Sequence, residues 1–93
     1  MAESPRAVDL RLTIPADAPY RDLASELATK FAEYAGCDRR AAAALGEAVA
    51  RIAQRVSAGA QPMDIEMERR NGKVIVRASS GSRHDETSCP LPD

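Results

Sequence analysis

The chain has 93 residues, 44% of them apolar but only 3% aromatic, and carries 13 basic against 14 acidic side chains. That length supports one hydrophobic core and little more. The balanced charge, with no like-charge run longer than Arg39-Arg40 or Arg69-Arg70, argues against nucleic acid or an anionic membrane as the main partner, because phosphate binding needs a clustered basic field.

In chain order, the start "MAESPRAV" lacks the basic and apolar regions of an export signal, and no apolar run approaches the roughly 20 residues a bilayer demands. A cytoplasmic protein is the expectation. "AVDLRLTIP" alternates Val8, Leu10, Leu12 and Ile14 with Asp9, Arg11 and Thr13, the period-two pattern of a strand with one wet face, and Pro15 ends it. Asp17 then stands as a capping residue with Pro19 in the first turn of a helix. The apolar stripe of that helix reads Tyr20, Leu23, Ala24, Leu27, Phe31, Tyr34 and Ala35, which would make the aromatics core residues with their hydroxyls at the rim. Gly36 is a stop suited to the left-handed conformation.

Asp38 caps a second predicted helix, whose core stripe is Ala42, Leu45, Val49, Ile52, Ala53 and Val56, with Gly59 as its end. The short connection makes the two helices antiparallel neighbours. In "MDIEMERRNGKVIVRAS" two alternating runs flank Asn71-Gly72, the pair best suited to a type I′ hairpin turn. Pairing Arg70 with Lys73 sets Met67 against Val76 and Ile65 against Ala78 on the buried side, and Glu66 against Arg77 on the wet side. Met63 and Met67 are then core filler. After Ala78 the chain is polar and without period, so residues 82–93 are read as a flexible polar tail behind a single α+β domain over residues 1–81.

The expected fold class is a two-layer β-α-α-β-β sandwich, with both helices on one face of a three-stranded sheet, since each element has one apolar side. The outer sheet face carries Asp9, Arg11, Thr13, Asp64, Glu66, Glu68 and Arg77, with Ile75 as its apolar exception.

This order, with "LRLTIPADAPYRDLASELATKFAEYAG", a "GEAVARIAQRV" helix and a hairpin ending "VIVRASSGS", resembles the N-terminal half of the histidine-kinase-like (GHKL) ATPases. The branch it looks most like is the small anti-sigma-factor serine-protein kinases. The resemblance spans Val8 to Gly81. It implies a nucleotide site whose vestigial positions are Glu47, Arg51, Ser79 and Gly81. Glu47-Ala48 matches the family's glutamate and alanine, but Arg51 stands where the family has a metal-binding asparagine, and Ser79-Ser80-Gly81 replaces the Asp-x-Gly box that receives adenine. Magnesium seeks hard oxygen ligands and is repelled by a guanidinium. The family's nucleotide lid and second glycine-rich box have no counterpart in the residues after Gly81.

Each chemical constellation has a plainer reading beside it. Glu47 is a vestigial candidate for a general base, or one half of an i, i+4 surface pair with Arg51 contributing about 0.3 to 0.5 kcal/mol; the pair is favoured because Arg40 and Gln54 share that polar face and no His or Cys joins it. His84, with Asp85, Glu86 and Cys89 nearby, is read as a solitary histidine rather than a metal ligand. The Ser79–Ser82 string is read as a strand end rather than an anion cradle. Cys37 and Cys89, in a helix connection and the tail, are read as reduced thiols rather than a disulfide or metal site.

The function expected from the resemblance is a non-catalytic regulatory module that has lost its ATP site. It would have no cofactor or metal, and a protein partner such as a sigma factor or an antagonist, or a second copy of itself. Two alternatives stand beside it: a weak ATP-binding protein or serine kinase using ATP with Mg2+, and a small structural subunit completing a partner's sheet.

Overall fold

The structure is a computed structural model that describes residues 9–57 and 61–92. Val8 and Gly59, read above as a strand and a helix-stop position, lie outside the described residues. The elements are β1 (Leu10–Ile14), α1 (Ala18–Ala35), α2 (Arg39–Val56), β2 (Met63–Arg70), β3 (Lys73–Ser80) and β4 (Arg83–Pro90). The fold is α+β, with a four-stranded antiparallel sheet in the order β1-β2-β3-β4. Among the described residues no helix is long and apolar enough to cross a membrane.

The expectation of three strands is corrected by β4. Residues 83–90, read as a tail, pair antiparallel with β3 from Ser80↔Arg83 to Lys73↔Pro90. Period-two hydrophobicity is missing because the side chains facing the helices are Asp85, Thr87 and Cys89, and of these only Cys89 is apolar and buried. The strand is held mainly by the ladder, by Arg55 of α2 bonding Asp85 at 2.7 Å, and by Arg83 donating to the Arg55 carbonyl at 3.1 Å. One local signal marks it. Gly81 (φ 61°) opens the two-residue turn before β4, and Gly-Ser is a hairpin-turn pair.

The β2–β3 hairpin has the expected register in full: Arg70↔Lys73, Met67↔Val76, Glu66↔Arg77 and Ile65↔Ala78. Asn71 (φ 53°) and Gly72 (φ 76°) both take the positive φ that a type I′ turn demands. Met63, Ile65, Met67, Val74, Val76 and Ala78 point at the helices and are buried, a burial that contributes about 1.5 to 3 kcal/mol for each large side chain.

α2 starts at Asp38, whose carboxylate accepts from the Ala41 N–H at 2.8 Å, and buries the stripe expected of it plus Gly46. α1 differs in two respects. Asp17 holds the N-cap position, yet its side chain makes no capping bond; its carbonyl accepts from Tyr20 and Arg21 instead. The buried face of α1 is Ala24, Ala28 and Ala32, while Tyr20, Leu23 and Tyr34 are exposed. α1 packs mainly on α2, and small side chains let the two backbones come close, which turns the large residues outward onto the flank. Gly36 (φ 118°) ends α1 in the left-handed conformation, and Cys37 N–H bonds back to the Ala32 carbonyl at 2.9 Å, the closure a helix end of this type uses.

Candidate functional site

Glu47 and Arg51 lie on the face of α2 opposite its buried stripe, and both are exposed. Among the described residues they make no ion pair with each other, so the surface pair read from their spacing does not form. Ser79 lies on β3 out of phase with the inward Ala78 and Ser80, opposite Asp64 and His84 on its two neighbours; its side chain is therefore on the sheet face away from the helices. Gly81 sits in the β3–β4 turn, where a Cβ would run into the Gln61 side chain. Ser80, the residue between them, turns inward and donates to the Pro62 carbonyl at 2.9 Å. The sheet thus stands between Ser79 and the helix pair that carries Glu47 and Arg51.

Three of the surface depressions formed by the described residues stand out. One is lined by Arg77, Ala78, Ser79, His84, Asp85 and Glu86, a second by Asp9, Phe31, Tyr34, Ala35 and Arg69, and a third by Arg55, Val56 and residues 82–85. Glu47 and Arg51 line none of them. No group of three or more His, Cys, Asp or Glu side chains among the described residues is placed to hold a metal ion.

The open sheet face is a ladder of alternating charge across all four strands. Arg11 meets Glu66 at 2.8 Å, Glu68 meets Arg77 at 2.7 Å, and Arg77 Nε lies 3.3 Å from Glu86. Thr13 donates to Asp64 at 2.6 Å at one edge. Glu68, on the sheet face that strand alternation makes wet, is buried, with only 1% of its side chain exposed. Arg77, on the neighbouring strand two positions beyond Glu68's partner Ile75, is its diagonal neighbour, within the reach of long side chains. The contact with Glu68, then the field of Glu68, Glu86 and Glu66, raises the Arg77 pKa against the opposing effect of burial. The pair is close but poorly aligned, since the Glu68 oxygens and Arg77 Nη1 have no hydrogen-bond partner of good geometry among the described residues. It is an ion pair first and a hydrogen bond second. Ile75, the apolar exception on this face, is 9% exposed.

The flank of α1 is the apolar counterpart of that charged face. Tyr20, Leu23 and Tyr34 are 42%, 40% and 84% exposed, and Leu27 and Phe31 are half-buried beside them. Phe31, Tyr34 and Ala35 share their depression with Asp9 and Arg69, at the start of β1 and the end of β2. The inward residues of β1, Leu10 and Leu12, are also only half-buried, and β1 leaves one edge of the sheet unpaired among the described residues.

The two cysteines are brought together. Cys37, after the left-handed Gly36, and Cys89, opposite Val74 on β4, are buried with their sulfurs 3.2 Å apart. Burial, then the contact with Cys37, pushes the Cys89 thiol up to about 12. No sequence signal marks this pair, because 52 positions separate its members and β4 has no period-two hydrophobic pattern of its own. Compared with protein-family models, curated proteins and solved structures, the chain matches none.

Proposed function

We propose that the chain is a non-catalytic protein–protein interaction module, a regulator that engages a protein partner through the α1 flank and the neighbouring β1 edge. The observation that carries this reading is the exposure of Tyr20, Leu23 and Tyr34 on one helix flank. Large apolar side chains grouped on a surface lose little conformational entropy on docking and expel much water, so such groups mark contact sites.

The resemblance to the anti-sigma branch of the histidine-kinase-like ATPases supports a signalling role with a sigma factor or an antagonist protein as partner. The loss of chemistry is supported by the exposure of Glu47 and Arg51, which line none of the three depressions described above. Arg51 would repel the divalent cation that ATP brings. The β1 edge, unpaired among the described residues, supports a second reading, in which another strand, from a partner or a second copy, completes the sheet.

The test is capture of the partner from the native cell by the full chain, followed by the same capture with a Tyr20→Ser/Leu23→Ser/Tyr34→Ser variant that keeps its circular dichroism. Loss of the identified partner supports the α1 flank as the contact. Undiminished capture removes it. A calorimetric titration with ATP and Mg2+ separates the catalytic alternative, which requires saturable heat that Glu47→Ala abolishes. Sedimentation at rising concentration reads self-association directly.

A further inference from the structure

We propose that Cys37 and Cys89 are a reversible disulfide site, formed by exchange with a small-molecule disulfide of the glutathione class. Neither cysteine belongs to the α1 flank or the β1 edge: Cys37 lies between α1 and α2, and Cys89 in β4.

Backbone geometry sets both partners. Cys37 is held by the closure of α1, with its N–H on the Ala32 carbonyl at 2.9 Å, and Cys89 by the β3–β4 ladder opposite Val74. Just beyond it, Leu91 N–H bonds the Gly72 carbonyl at 2.8 Å, which anchors the strand on both sides of the cysteine. The sulfurs are 3.2 Å apart, and a disulfide brings them to about 2.0 Å. The remaining approach is roughly an ångström, within the reach of side-chain rotation. The bond would join the edge strand to the helix connection across 52 positions, a long loop, and closing long loops removes the most freedom from the unfolded chain.

The exchange balances. A thiolate of one cysteine attacks a sulfur of the small disulfide, forming a mixed disulfide and expelling one small thiolate. The second cysteine, as its proton leaves, attacks the mixed disulfide at the first cysteine's sulfur and expels the other small thiolate. Both thiolates are protonated, so two cysteine thiols are oxidised and one small disulfide is reduced to two thiols. Because both sulfurs are buried, the reagent reaches them through opening of β4, a strand that among the described residues pairs only with β3.

The test is equilibration of the full-length reduced chain with oxidised glutathione. The expected product has lost two hydrogens and carries no glutathione, shows no reactive thiol after denaturation, and yields an unreduced peptide pair containing Cys37 and Cys89. Its thermal midpoint rises by at least about 8 °C over the reduced form, and dithiothreitol reverses both changes. Cys37→Ser and Cys89→Ser, each left with one thiol, are expected to stop at a single glutathione adduct. A wild-type chain that keeps both thiols, carries glutathione, or cross-links to a second chain overturns the proposal. So does an internal cross-link that lowers the midpoint, since a native pair already in position would not strain the fold.

Discussion

Gly46 of α2 and Thr29 of α1 meet at the helix seam with no room between them for a methyl group. A Cβ on Gly46 would run into Thr29 Oγ1 and lie 3.1 Å from the Ser25 carbonyl oxygen, while Ser25 Oγ donates to the Gly46 carbonyl at 2.8 Å. Gly46→Ala would gain about 1 kcal/mol of helix propensity but incur an overpacking cost of about 1 to 3 kcal/mol. A net loss of about 1 kcal/mol is expected, read as a lower urea midpoint at unchanged slope. Adding Thr29→Ala should restore most of it, and a Gly46→Ala variant more stable than wild type would show that the seam is looser than described.

The buried Glu68 depends on Arg77. Arg77→Met leaves a carboxylate without its nearest cation, and breaking such a pair costs about 3 kcal/mol. Arg70, 3.9 Å from the same carboxylate oxygen and half-exposed, makes the weaker contact and offsets part of the loss, which keeps the expected cost at the low end for a buried pair. The double variant Glu68→Met/Arg77→Met removes both charges and should recover most of the loss in chemical denaturation. Equal instability of the single and double variants would mean that packing, not charge, is what Arg77 contributes.

Cys89 gives an alkaline signature. Its folded-state pKa, about 12, lies above the ordinary thiol value of 9.0, so the folded chain keeps a proton that the unfolded chain releases. Its stability contribution is full below pH 9 and falls as pH rises from about 9 toward about 12. Thermal midpoints across that range should decline more steeply for the reduced wild type than for Cys89→Ser, and identical slopes would count against the burial of this thiol.

Acid should act four residues away on the same strand, at Asp85. The Arg55 contact, then the Glu86 backbone N–H, hold Asp85 below its ordinary value of 3.8. A depressed folded value contributes stability above that pH, and the contribution disappears as pH falls through the folded value. A carbon-detected titration of Asp85 should give a midpoint below 3.8 that returns to the ordinary range in Arg55→Gln. No movement on that substitution would place the cause elsewhere.

Deleting residues 82–93 tests whether the last segment is a tail or a strand. Without β4, Val74 and Val76 lose the neighbour that shields their edge of the core, and Cys37 loses Cys89. The shortened chain should lose cooperative unfolding and bind a hydrophobic dye, as loosely packed states do. A cooperative transition of wild-type midpoint would restore the tail reading.

What the sequence determined by itself was whatever a local pattern carries. The Asn71-Gly72 turn and its flanking alternation set the β2–β3 register, because turn geometry and side-chain parity leave one pairing that buries both methionines. The α2 stripe was legible because large aliphatic residues recur on one face, and Asp38 and Gly36 marked the helix boundaries by the backbone conformations they favour. Tertiary structure alone decided which face of α1 is inside: helical period permits several faces, and the seam with Gly46 selects the alanines over the tyrosines. It also made β4 a strand, since an edge strand can be held by its ladder and by Arg55 with little apolar signal of its own. The burial of Glu68 and the meeting of Cys37 with Cys89 arise only when strands and helix ends distant in sequence are brought side by side.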